Sequence, residues 1–129
     1  MYPIYNGNNK DFFRENVFIT QSDIDATFLD MNQVFKNQTL NNFFFSHLIL
    51  LPNGNVHTNL NTETIGNVYQ EALIEMIYPI LKDKTGDWFL LRSKVAPCNK
   101  CIYNFLCPPP SNYNFILKCN NLCTIHVDK

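Results

Sequence analysis

Cys98-Asn99-Lys100-Cys101-Ile102-Tyr103-Asn104-Phe105-Leu106-Cys107-Pro108-Pro109-Pro110-Ser111-Asn112-Tyr113 is the stretch that organises this chain, and Cys119 and Cys123 follow it. All five cysteines of the 129-residue chain fall in its last quarter. Disulfide scaffolds spread their cysteines along the chain, and small secreted ones carry them more densely. A C-x2-C pair lets two thiolates point at one centre from a single turn. Cys107 adds a third sulfur after enough chain to reach another face of that centre. Two thiolates from a turn, joined by thiolates from further along, is how tetrahedral zinc or an iron–sulfur cluster is held. One buried cysteine would mean nothing, because a free cysteine packs as a small hydrophobe; several at this spacing seldom arise for packing alone. The pattern favours a metal.

Upstream of the cysteines, Trp88-Phe89-Leu90-Leu91 reads as a short buried strand after the turn Thr85-Gly86-Asp87. Gly66-Asn67 with Asn67-x-x-Gln70 predicts a capped helix over about 67–82, carrying Val68, Ala72, Leu73, Met76, Ile77 and Ile80. Pro79 removes one helical hydrogen bond and is expected to kink the last turn or end it early. Phe43–Leu51 and Asn55–Leu60 predict a hairpin over about 43–60, because Asn53-Gly54 suits a type I′ turn with positive φ at both positions. In that register Leu51 faces Val56, Leu50 faces His57 and Ile49 faces Thr58. The Phe43-Phe44-Phe45 run reads as core, with alternate rings available to cover a missing domain.

Nearer the start, Ser22-x-x-Asp25 predicts a capped helix in which Ile24, Phe28, Met31 and Phe35 form one buried stripe, ending at Thr39–Asn42. Val17-Phe18-Ile19 is expected as a short strand. Residues 1–16, rich in Asn, read as a linker leading into the domain, pinned by Tyr2, Tyr5, Phe12 and Phe13. The fold expected is α+β: an antiparallel β-hairpin packed with two helices, followed by an irregular cysteine-rich loop that binds a metal or cluster.

Composition narrows the function. Hydrophobic content is 46 % and charged content 16 %, which fits one globular domain large enough for its own core. Net charge is −1 with no basic run, so the electrostatic footprint of a nucleic-acid binder is absent. The longest apolar stretch, Phe43–Leu51, is interrupted by Ser46 and His47 and is too short to span a bilayer. The first residues lack the regions of a signal peptide, so a cytoplasmic setting with reduced thiols is expected. His47, His57 and His126 have no Cys or Asp partner at triad-like spacing. They read as ordinary histidines, with His126 a weak backup ligand after Cys123. The three prolines stiffen the loop between ligands, a better account than a polyproline recognition motif.

At the cysteines the chain resembles a known family. Cys98, Cys101 and Cys107 in C-x2-C-x5-C spacing resemble the core of the SPASM domain, the C-terminal domain of peptide-modifying radical SAM enzymes. The run Cys107-Pro108-Pro109-Pro110-Ser111-Asn112-Tyr113, with Asn121-Leu122-Cys123, is similar to the pseudo-radical-SAM proteins of Bacteroidales peptide-maturation clusters. The opening Pro3-Ile4-Tyr5-Asn6-Gly7, with Asp11-Phe12-Phe13 and Glu15-Asn16-Val17, resembles a segment of the same proteins. The family's hairpin-then-helix order before the cysteines matches as well, which implies a SPASM-like domain over 17–129.

The resemblance implies auxiliary [4Fe-4S] clusters, and the departures from it are informative. Ser111 stands where the family has a cysteine four residues after Cys107. Asn59 stands where it has the cysteine of a G-x4-C element, five residues after Gly54. Both losses affect the first auxiliary cluster, which is therefore expected to be absent. One [4Fe-4S] cluster remains implied, on Cys98, Cys101, Cys107 and, by resemblance, Cys123, with Cys119 as the alternative distal ligand. Zn2+ is the alternative occupant, and purification in air could leave the site empty. The C-x3-C-x2-C cradle of radical SAM enzymes is absent from the sequence, so no enzyme activity is expected. The implied role is that of an accessory domain that recognises a precursor peptide or a partner radical SAM enzyme, with no nucleic acid and no membrane involved. A zinc-stabilised interaction adaptor without a redox role is the rival.

Overall fold

Pro52 and Gly54 decide how the hairpin turns. In the computed structural model, which describes residues 3–125, strand β1 (Ile49–Leu50) pairs antiparallel with β2 (Asn55–His57). The Gly54 N–H bonds the Leu51 carbonyl and the Leu51 N–H bonds the Asn55 carbonyl, both at 2.9 Å. The loop therefore has three residues, Pro52-Asn53-Gly54, and within it only Gly54 takes a positive φ, 84°. The fixed negative φ of Pro52 starts an ordinary turn, and Gly54 completes it in the left-handed region. Leu50 consequently faces Val56 and Ile49 faces His57, one residue away from the register expected of a two-residue turn. A one-residue slip exchanges the faces of a strand. Val56 is buried and Leu50 lies in solvent.

A third strand was not foreseen. Strand β3 (Gly66–Asn67) pairs antiparallel with β2 and completes a sheet in the order β1-β2-β3. Asn67, expected to cap a helix, instead uses its side-chain amide on the Asn53 carbonyl (3.1 Å) and the Asn55 side-chain oxygen (2.8 Å). Residues 43–46, expected as strand, are turns. The N–H groups of Phe43, Phe44 and Phe45 find the backbone or side-chain oxygen of Asn41, and Ser46 takes a φ of 65°.

The residues expected as a linker contain helix α1 (Lys10–Asn16). Phe13 on it is fully buried, edge-on to Tyr5 (5.6 Å between centroids) and Tyr113 (5.4 Å). Phe12 is half exposed, and Tyr2 lies outside the described residues. Instead of a strand at 17–19, Ile19 makes a single parallel bridge to Cys123.

The single helix expected from Ser22 is two. Helix α2 (Gln21–Asp25) is capped by Thr20, which accepts from the Asp23 N–H while the Asp23 carboxylate accepts from the Thr20 N–H. The Thr20 hydroxyl also donates to the Asp23 carboxylate at 2.7 Å, and that bond first, with the one from the Thr20 N–H, holds the Asp23 carboxyl below its ordinary value. Helix α3 (Met31–Thr39) has its own cap, Asp30, accepting from the Gln33 N–H at 2.7 Å. With the chain broken between caps, the expected stripe does not form. Ile24 is buried, but Phe28 and Met31 are 94 % and 67 % exposed, and Phe35 is exposed too.

Helix α4 (Leu73–Asp83) starts later than expected and runs past Pro79 to a left-handed cap at Lys84. The Glu75 carboxylate accepts from the Ala72 N–H at its start. Met76 is buried, and Ile77 and Ile80 pack on a core of Phe44, Trp88 and Phe89. Phe44 is thus core and covers no other domain, whereas Phe43 is partly exposed. Trp88 and Phe89 are buried as expected, but in a 3₁₀ turn, Asp87–Phe89, rather than a strand. Two further 3₁₀ turns, Arg92–Lys94 and Cys98–Lys100, lead into the cysteine segment, which holds a short helix α5 (Asn112–Ile116) before Cys119. Among the described residues no helix is long and apolar enough to cross a membrane.

Candidate metal centre

The C-x2-C pair sits in the 3₁₀ turn Cys98–Lys100, with the Cys101 N–H bonded to the Cys98 carbonyl at 3.0 Å. Residues three apart eclipse in a 3₁₀ turn, so both thiols leave the same side. The chain then folds back, with Leu106 and Cys107 N–H groups both bonded to the Tyr103 carbonyl, which returns Cys107 towards the pair. Cys123 arrives from the terminal segment. That segment is held against Ile19 by the bond from Ile19 N–H to the Leu122 carbonyl (2.9 Å) and from Thr124 N–H to the Ile19 carbonyl (3.0 Å).

Cys98, Cys101, Cys107 and Cys123 all line one cavity of about 20 Å³, closed by apolar groups such as Ile19 and Leu122 and by Arg92. Cys119 does not line it. Its thiol donates instead to the Asn121 backbone carbonyl at 3.1 Å. All five cysteines are free thiols. Among the described residues no group of three or more His, Cys, Asp or Glu is drawn together closely enough to hold a metal ion as it stands. The thiols face a common space, and loading a metal requires them to close on it. His126 lies outside the described residues.

Arg92 is the residue that sequence reasoning missed. It is only 6 % exposed, and its Nε donates to the Pro108 carbonyl at 2.9 Å. Its Nη1 donates to the Asn120 carbonyl and contacts the Cys98 sulfur at 3.8 Å. The signal available was one guanidinium in the apolar run before the cysteines. Burial pushes the Cys98 and Cys107 thiols up from their ordinary value, more than the nearby Arg92 charge pulls them down. Asn104 presents a buried side-chain oxygen without a hydrogen-bond partner among the described residues, and it lines the same cavity.

The donor set suits a metal that takes thiolates: four sulfurs, an apolar wall and a fixed positive charge. The volume suits one ion, since about 10–15 Å³ of such space is what a single water requires.

Asn59 and Ser111 share a different space. Both line an open groove of about 790 Å³ between the start of the hairpin and α5, together with Phe43, His47 and Tyr113. The buried Asn59 amide donates to the Asn112 side chain at 2.9 Å, and its oxygen accepts from the Asn61 N–H at 2.9 Å. Ser111 is the residue that precedes α5, its N–H bonded to the Asn114 side-chain oxygen at 2.9 Å. Hydrogen-bonded amides thus occupy the first position, and a helix start the second. His57 lies apart, its ring facing the Thr62 carbonyl at 3.3 Å.

Comparison with protein-family models, with curated proteins and with solved structures finds no match for this chain.

Proposed function

We propose that this chain is a non-catalytic accessory domain of the SPASM-like kind found in pseudo-radical-SAM peptide-maturation proteins. It holds one metal centre on Cys98, Cys101, Cys107 and Cys123, and it recognises a precursor peptide or a partner radical SAM enzyme in a reducing cytoplasm. The observation that carries this reading is that those four cysteines, and not Cys119, line one cavity. A single [4Fe-4S] cluster is the centre implied by the resemblance, and bound there it would supply a structural anchor or an electron relay. The open groove beside Asn59 and Ser111, walled by aromatic and amide groups, is the surface offered to an extended peptide.

A second reading has its own support. A cavity of about 20 Å³ favours a single Zn2+ and an interaction adaptor without a redox role. Anaerobic purification followed by iron, sulfide and zinc analysis separates the two. Iron and sulfide in equal amounts support the first, and zinc without sulfide supports the second. The role itself is tested by binding: a small peptide encoded beside a radical SAM enzyme and this chain should bind the loaded protein in calorimetry. Absence of any such binding would leave only the adaptor.

A further inference from the structure

Arg92 reaches all three chain segments that carry the four thiols. It contacts the sulfur of Cys98 in the 3₁₀ turn, the carbonyl of Pro108 directly after Cys107, and the carbonyl of Asn120 on the way to Cys123. A guanidinium out of water needs either an anion or full hydrogen bonding. Among the described residues the hydrogen-bond partners of Arg92 are two carbonyls and one sulfur, and none is a carboxylate. Carbonyls satisfy donors but leave the charge standing. The groups beside it able to carry a compensating negative charge are the four sulfurs, once they bind a metal as thiolates. Four thiolates outweigh the charge of a divalent ion or of an oxidised four-iron core, so the loaded centre is a net anion.

We infer that Arg92 is the positioning residue of this centre: it fixes the Cys98 sulfur through an N–H···S contact and offsets the negative charge of the four-thiolate shell. This rests on the proposed assignment of Cys98, Cys101, Cys107 and Cys123 as ligands. Outer-shell donors of this kind orient the ligand and commonly account for about 10–100-fold in metal affinity. A donor to a thiolate also lowers the energy of its sulfur lone pairs, which raises the energy of sulfur-to-metal charge transfer.

Anaerobic titration of the reduced protein with Co2+ tests this, because cobalt reports thiolate ligation by its charge-transfer band. The parent is expected to bind with that band. Arg92→Gln should bind about 10–100-fold more weakly, with the band moved to lower energy. Arg92→Lys keeps the charge but not the fork, and should recover most of the affinity and the band position. Trp88 fluorescence reports whether each metal-free variant is folded. Should Arg92→Gln fail to fold, Arg92→Lys decides alone: a parent-like band supports the inference, and a shifted band with binding about 10–100-fold weaker than the parent overturns it. An Arg92→Gln protein with the parent's affinity and band also overturns it. So does weaker binding with an unshifted band in both variants, which would make Arg92 only a tie between loops. A parent that shows no thiolate band with Co2+ removes the four-thiol assignment itself and the inference with it.

Discussion

The side-chain amide of Asn41 donates to the Pro110 carbonyl at 2.8 Å, a fully buried contact that joins the end of α3 to the proline loop. The same amide donates to the Leu90 carbonyl, its oxygen accepts from the Phe43 N–H, and its backbone N–H bonds the Trp88 carbonyl. One residue therefore anchors the proline loop between Cys107, which lines the cysteine cavity, and Ser111, which lines the groove. Asn41→Leu keeps the branched four-atom side chain but leaves buried carbonyls and an N–H without partners, at a cost of about 3 kcal/mol. Urea unfolding measures it, and a loss below about 0.5 kcal/mol would show that the loop re-satisfies these groups in another way.

Gly54 combines a conformational demand with a spatial one. Its φ is 84°, and a Cβ there would lie 2.4 Å from the Tyr69 ring. Gly54→Val should cost about 1–3 kcal/mol from backbone strain, more if Tyr69 cannot swing away. The double variant with Tyr69→Ala should recover the steric part and leave the strain. Equal urea midpoints for parent and Gly54→Val would place the turn elsewhere.

Thiol burial sets a pH dependence for the metal-free protein. The Cys98 and Cys107 thiols titrate above the ordinary value of 9.0, so the folded chain holds these protons more tightly than the unfolded one. Their contribution to stability is full below that value and is lost as pH rises through the folded-state values. Reduced, metal-free protein should thus show a urea midpoint that falls above about pH 9. Cys98→Ser should flatten the fall. A midpoint unchanged or rising over that range would contradict the burial of these thiols.

How much of this was legible in the sequence depended on whether a signal was local. The Asn53-Gly54 pair placed a hairpin correctly, yet Pro52 one residue earlier changed the loop length and with it every cross-strand partner. Thr20 and Ser22 offer capping boxes two residues apart, and only hydrogen bonding in three dimensions selects Thr20. The Ile24-Phe28-Met31-Phe35 period is genuine in sequence, but Asp30 starts a new helix inside it and turns most of the stripe outward. The cysteine spacing was the most legible feature, because C-x2-C needs only one turn to align two thiols. Asn41 was not legible at all, and Arg92 only as a lone guanidinium at the end of an apolar run. Their roles come from contacts with chain far away in sequence, for which neither period nor motif leaves a trace.

On the proposed SPASM-like reading, the two departures from the family's pattern limit cluster content. Asn59 and Ser111 line a groove apart from the cysteine cavity, and neither amide nor hydroxyl substitutes for a thiolate on a cluster iron. Anaerobic reconstitution should load no more than one [4Fe-4S] equivalent. Iron and sulfide analysis approaching two equivalents per chain would require ligands beyond the four cysteines.

Cys119 provides the internal control for the proposed metal centre. It lies only four residues from Cys123, but its thiol is turned to the Asn121 carbonyl while Cys123 lines the cavity beside Ile19. The Ile19–Cys123 bridge fixes that arrangement through backbone bonds on either side of Cys123. To replace Cys123, Cys119 would have to give up its bond to Asn121 and move the 119–121 segment, to which the Asn114 amide is bonded at 2.9 Å. Single Ser variants at Cys98, Cys101, Cys107 and Cys123 should therefore each lose metal and, with it, the stability that metal binding adds to a site absent from the unfolded chain. Cys119→Ser should load metal like the parent and unfold at the same urea concentration in the loaded state. Metal content measured alongside unfolding separates the cases: retention by Cys123→Ser together with loss by Cys119→Ser would exchange the two roles, and retention by all five variants would end the assignment of a thiolate centre.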